Sequence, residues 1–182
     1  MSYWQTKKAK LAAIVALLAT AVTANAALES GTQAPMFQLT GALAGEAFDF
    51  DLQQQLKQGP VVVYFYPKAF TAGCTIEAHE FAEASDDFTQ LGARVVGVST
   101  DEIDTLKEFS VSDCRDKFAV LADPSAKVVE QYDAFLPNRK LADRISYVVV
   151  PSGEIIYVHH TMEPKSHIAE SLRAIKQWQA DQ

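Results

Sequence analysis

At 182 residues, 48% of them hydrophobic and 21% charged, the chain is long enough for one well-cored domain and too short for two ordinary ones. Sixteen basic against 23 acidic side chains leave a net charge of -7, which argues against nucleic acid or an anionic membrane surface as a partner. The sequence contains no internal repeat and no low-complexity tract.

The first stretch reads as a targeting segment. Lys7, Lys8 and Lys10 precede an apolar run from Leu11 to Val22, and Ala24-Asn25-Ala26 offers the small-x-small pattern of a cleavage site. A run of about a dozen apolar residues falls short of the ~20 needed to span a bilayer, so cleavage is expected rather than stable membrane insertion. Residues 1–26 are then a cleaved signal peptide and residues 27–182 the working domain. Losing three lysines and no acid leaves 13 basic against 23 acidic residues, a net charge of -10. The expected location is the periplasm of a bacterial cell envelope.

Beyond that segment, Ala34–Leu39 alternates like a short strand, and Glu46–Phe50 pairs with it as a hairpin across a Gly41–Gly45 turn. Asp51 to Lys57 makes a helical turn ended by Gly59-Pro60. Val61–Tyr66 is a continuous β-branched and aromatic run, the pattern of a strand buried on both faces. From Cys74 the period becomes helical: Ala78, Phe81, Ala82, Ser85 and Phe88 share one stripe, with Glu77, Glu80, Glu83 and Asp87 mostly outside it, until Gly92. Ala93–Val98 is the next buried strand, and Asp101 a fitting N-cap for a helix carrying Ile103, Leu106 and Phe109. Phe118–Leu121 is a short strand, and Asp123-Pro124 opens a helix through Tyr132. Ile145–Val150 and Glu154–Val158 form a hairpin across Pro151-Ser152-Gly153, and Pro164–Trp178 is a closing amphipathic helix. Alternating strands and helices with a late hairpin define a layered α/β domain with a mixed sheet, compatible with a thioredoxin-type architecture.

Only two cysteines exist, Cys74 and Cys114. In an oxidising compartment the count alone leaves a structural disulfide, a redox pair and two free thiols all open. A cysteine attacks as its thiolate, and an ordinary thiol with a pKa of ~8.5 supplies little of it at neutral pH. Three features favour ionisation at Cys74. It falls in the first turn of a helix, where free N–H groups and the helix dipole favour an anion. Thr71 brings a hydroxyl into the same loop, and Pro67 ends the preceding strand stiffly without a backbone donor. Positions 71 and 77 are Thr and Glu, so no CxxC dithiol is present and a thioredoxin-like disulfide exchanger is disfavoured.

Pro67-xxx-Thr71-xx-Cys74 matches the PxxxTxxC signature of the peroxiredoxins. The segment Tyr64-Phe-Tyr-Pro-Lys-Ala-Phe-Thr-Ala-Gly-Cys-Thr-Ile-Glu77 resembles their Q-type branch, the bacterioferritin co-migratory proteins. The likeness continues through Val95–Ser99, Ala122-Asp-Pro124 and Arg144–Val150, and so covers nearly all of the chain after the leader. It implies a thioredoxin-like fold and a peroxidase that needs no cofactor or metal. Its implied partners are hydrogen peroxide or an organic hydroperoxide and a thioredoxin-like reductant, with the protein a monomer or a weak homodimer. It also implies that Cys74 is the peroxidatic residue and that Arg144, at the head of a late strand, is the cation that holds the thiolate; the residue pattern alone reads Arg144 as a solvated strand end.

Many Q-type members carry a resolving cysteine five residues after the first, where this chain has His79; others carry it on the next helix, where Cys114 stands. The resemblance therefore implies a Cys74–Cys114 disulfide formed after local unwinding. A merely packed Cys114, with resolution by an external thiol, and a permanent structural bridge are the alternatives. Glu77 is open between a tether for Arg144 or a nearby loop and a solvated first-turn acid. Adjacent His159 and His160 face opposite sides of a strand and make a poor start for a metal site, and His79 and His167 are distant in sequence. Trp178 reads as core. A non-enzymatic binding or chaperone module of the envelope is the rival to an enzyme.

Overall fold

A computed structural model describes residues 27–136 and 140–182; the expected leader lies outside them. The elements run β1 (Gln38–Leu43), β2 (Glu46–Asp51), α1 (Leu52–Leu56), β3 (Val61–Phe65), α2 (Ala72–Glu83), α3 (Ser85–Gln90), β4 (Arg94–Ser99), α4 (Ile103–Ser112), β5 (Ala119–Ala122), α5 (Lys127–Gln131), β6 (Ile145–Val149), β7 (Ile155–His160) and α6 (Ser166–Ala180). The strands form one seven-stranded mixed sheet in the order β2-β1-β5-β4-β3-β6-β7. β3 pairs in parallel with β4 and antiparallel with β6, which places it centrally.

That position explains its sequence. Val61, Val63 and Phe65 point into one apolar cluster, closed by α1, α5 and the N-terminal segment. Val62 and Tyr64 point into the other, closed by α2, α3, α4 and α6. Both faces are dry, so every residue of β3 is apolar or aromatic. Gly97 in β4 serves the second cluster: a Cβ there would lie 2.7 Å from the Tyr64 ring, which occupies the space instead. Tyr64 in turn stacks on Phe81 of α2, with 4.5 Å between ring centroids.

Several boundaries differ from the sequence reading. The first hairpin turns at Ala44-Gly45, both at positive φ as a two-residue loop of the right twist requires. Gly41 lies within β1 rather than in the turn, because a Cβ there would come 2.6 Å from Leu121. The helix after Cys74 is two helices, since Ala84 with ψ near 2° breaks the first and turns Phe88 into the core. Asp101 does not cap α4; Glu102 holds the N-cap position, and the Asp101 carboxylate accepts from Ala69 N and Ser99 Oγ. Asp123-Pro124 makes a turn ahead of α5, and the Asp123 carboxylate accepts the backbone N–H groups of Lys127, Val128 and Val129. Trp178 is only partly buried at the end of α6.

Candidate active site

The site begins where β3 runs out. Tyr66 N still donates to Val98 O, and then Pro67 leads the chain off the sheet. The loop from Pro67 to Thr71 is anchored by the Ala69 N–H on Asp101 (2.8 Å) and strained at Phe70, whose φ is +62°. A bulky residue in the left-handed region persists only where surroundings hold it. Here the Phe70 ring, half exposed, rests edge-on against Phe109 of α4.

Thr71 is the N-cap residue of α2, but its hydroxyl donates to the Lys68 carbonyl at 2.9 Å and makes no hydrogen bond to the helix or to sulfur. The first-turn amides of α2 therefore lack a side-chain cap. Cys74 is the third residue of that turn and is 2% exposed. Arg144, from the residue before β6, reaches across and places Nη2 3.5 Å from Cys74 Sγ. Gly73 makes the approach possible: a Cβ there would sit 2.9 Å from the same Nη2.

Arg144 is held from both ends. Its backbone N–H donates to Asp143 Oδ1 (2.7 Å), while Asp143 Oδ2 pairs with His160. Its Nη1 donates to Glu77 Oε2, and both side chains are buried. Burial opposes the Arg144 charge, but the neighbouring Glu77 and Cys74 outweigh it and raise its pKa further. Glu77 is thus the tether rather than a solvated acid. Burial, the largest influence, pushes its pKa up to about 8 even beside the guanidinium. Behind it lies His167 on α6, fully buried, whose pKa burial lowers to about 4.

Cys114 follows the end of α4 and is equally buried, within the same apolar cluster as Cys74. Both cysteines are free in this structure, with no disulfide between them. Burial raises the Cys114 thiol far above its ordinary range, and Asp113 and Asp116 add to the effect. Arg115 and Asp116, the next two residues, both adopt positive φ (51° and 58°). His79 occupies the α2 position facing this segment and lies 3.6 Å from Asp113.

Sequence reasoning named Cys74, Pro67, Thr71, Arg144 and Cys114 as candidates, and the fold brings Arg144 onto Cys74. It missed the roles of Gly73, Asp101 and Asp143. It weighed His167 only as a metal ligand, whereas the ring fills the space behind Glu77. A glycine directly before a helix-start cysteine was the available signal for a close approach; Asp101 acts on Ala69, 32 positions away, and Asp143 gains its role only from the Arg144 that it adjoins and from His160.

Residues 30–158 match the model of the AhpC/TSA family. Among curated proteins, peroxiredoxin Bcp of Escherichia coli (strain K12) is 30% identical over 146 residues, covering 77% of this chain and 90% of that protein. Peroxiredoxin Q, chloroplastic, of Oryza sativa subsp. japonica is 33% identical over 156 residues, covering 82% of this chain and 67% of that one. Among solved structures, peroxidoxin BcpB from Mycobacterium tuberculosis superposes with a TM-score of 0.74 at 26% identity, covering 82% of this chain and 97% of its own. The chain belongs to the AhpC/TSA family, on the thioredoxin-like peroxiredoxin fold. It is a thiol-dependent peroxidase, with a peroxide as substrate and a thiol as reductant. No helix among the described residues is long and apolar enough to cross a membrane.

Proposed function

We propose that Cys74 is the nucleophile that reduces hydrogen peroxide and organic hydroperoxides, and that Cys114 resolves it. The Arg144 guanidinium against Cys74 Sγ, at the uncapped start of α2, carries this reading. Cation and free amides stabilise a thiolate and, next to it, the charge that develops on the peroxide oxygens. The thiolate attacks one peroxide oxygen; an S–O bond forms, the O–O bond breaks, and the other oxygen leaves as water or alcohol after taking a proton. The Thr71 oxygen, its own hydrogen committed to Lys68, is left to accept from the peroxide O–H. Pro67 shields the site without adding a donor.

Cys114 then attacks the sulfenic sulfur, releasing water and forming the Cys74–Cys114 disulfide, which a thioredoxin-like protein reduces. Its burial requires the segment after α4 to unwind first. That same burial favours a second reading, in which Cys114 is a packed residue and an external thiol resolves Cys74. We place the protein in the periplasm, delivered by the signal peptide in residues 1–26, as a monomer or weak homodimer. Peroxide turnover in Cys74→Ser tests the nucleophile: activity falls to background, and retained activity rejects the assignment. Counting free thiols after one equivalent of peroxide tests resolution. The unaltered protein loses both thiols; in Cys114→Ser an adduct with added thiol accumulates instead. If the unaltered protein keeps the Cys114 thiol, the one-cysteine reading takes its place.

A further inference from the structure

Glu77 presents one oxygen to Arg144 and leaves the other, Oε1, buried without a hydrogen-bond partner. Facing it at 3.8 Å is Nδ1 of His167. The partners of that ring assign its tautomer. Nε2 lies 3.0 Å from the Thr161 carbonyl, which can only accept, so Nε2 carries the hydrogen. In the neutral ring Nδ1 is then an acceptor, and the Ser146 hydroxyl, 2.8 Å away, donates to it. With Glu77 ionised, two acceptor atoms face each other in a dry interior, an arrangement that costs energy unless one of them holds a proton.

Charge counting leads to the same place. The groups that face Glu77 are Cys74 on α2, Tyr64 on β3, Arg144 before β6, His167 on α6 and Glu163 in the loop ahead of it. His159 of β7 stands behind His167, the two rings 4.7 Å apart. Arg144 is the one permanent cation in this set. If Cys74 and Glu77 were both anions, the buried cluster would carry an uncompensated negative charge, which a low-dielectric interior opposes.

We infer that Glu77 is a proton-holding positioning residue: when Cys74 is a thiolate, Glu77 is a neutral carboxylic acid backed by His167 and Ser146. This rests on the reading of Cys74 as the ionised nucleophile. The proton that leaves Cys74 is matched by one on Glu77, so the cluster with Arg144 stays neutral. The Glu77 oxygen nearest Arg144 becomes the carbonyl oxygen and still accepts from Nη1, which leaves the cation's charge for sulfur. The upward shift of Glu77 and the downward shift of His167, both caused by burial, favour the carboxyl over the imidazole as the proton's seat.

Infrared difference spectroscopy on the reduced full-length protein near neutral pH reads the acid directly. The expected result is a protonated-carboxyl C=O band that vanishes in Glu77→Gln. No such band in the unaltered protein, or a band that survives unchanged in Glu77→Gln, overturns the inference. The thiolate absorbance of Cys74 against pH gives an independent readout. Glutamine mimics the neutral acid, so Glu77→Gln leaves the midpoint in place; removing an ionised neighbour would instead drop it by roughly one to three pH units, and that drop refutes the proposal. Neither measurement uses peroxide turnover, so the peroxidase reading and this one can fail separately.

Discussion

The two cysteines occupy one apolar cluster but are held by different kinds of contact. Around Cys74 the key contacts are largely buried and mostly come from far along the chain: Arg144 on the sulfur, Glu77 on Arg144 and Asp101 on the loop, with Asp143 fixing the Arg144 backbone beside it. Around Cys114 the side chain is buried, yet its segment is fastened from outside. His79, Glu83 and Asp86 on α2 and α3 pair with Asp113, Arg115 and Lys117, at 3.6, 3.2 and 3.9 Å. Two consecutive residues of that segment sit in the left-handed region, at a cost of roughly 1–2 kcal/mol each. Exposed pairs return little, about 0–1 kcal/mol each. The difference teaches that rigidity is concentrated around Cys74, which the proposed attack needs aimed, while Cys114, which the proposed resolving step needs to move, is only lightly fastened.

That contrast can be broken from the Cys74 side first. Arg144→Lys keeps the charge but cannot bond both Glu77 and sulfur, and the rate of Cys74 oxidation by peroxide should fall on the order of 10²-fold. Stopped-flow kinetics measures it, and a rate within a few-fold of normal would show that the fork geometry is unimportant. Gly73→Ala is a subtler intrusion. The new methyl displaces Nη2, so the rate drops about tenfold, while thermal stability holds or rises because alanine suits a helix better than glycine.

Proton linkage should then distinguish the buried network by its pH dependence. Glu77 titrates at about 8 in the fold against 4.5 as an ordinary side chain, so the native state binds the extra proton between those values. Stability from this group is complete at low pH and is lost as pH rises through about 8. His167 acts oppositely, losing stability as pH falls from 6.5 through about 4. Above pH 6.5 only Glu77 contributes, so denaturant melts should lose on the order of 1 kcal/mol towards pH 8, and Glu77→Gln should flatten that slope. The smallest effect belongs to Cys114. Raising the salt concentration, or replacing Arg115 and Lys117 by alanine, weakens the outer fastening by under about 1 kcal/mol and should speed disulfide formation only a few-fold. A slower rate would mean that these pairs guide the segment rather than restrain it.

Legibility in the sequence followed the range of the interactions. The apolar run of β3 and the period change at Cys74 are local signals, and they located the central strand and the helix start. The N-terminal hairpin was visible but its register was not, since Gly41 is demanded by Leu121, a neighbour 80 positions away. For Glu77 the sequence left a tether for Arg144 and a solvated first-turn acid both open. Only the arrival of Arg144 from the far end of the chain makes its position interior. Asp101 has the composition of a helix cap and serves as a loop anchor, a choice set by Ala69 and Ser99 in three dimensions. Ser146 and His167 meet across a strand and a helix, a distance no spacing rule spans.

Gly97 has a mechanical consequence for this site. Because it has no side chain, Tyr64 lies flat against the sheet, and α2 rides on Tyr64 through Phe81, about two turns beyond Cys74. The cation hangs from β6 and is fixed by Asp143, on the other side of β3. Sulfur and guanidinium thus stand on separate supports, and the gap between them is gauged from beneath, by the thickness of the floor at one glycine. A single methyl group there would raise one support and not the other.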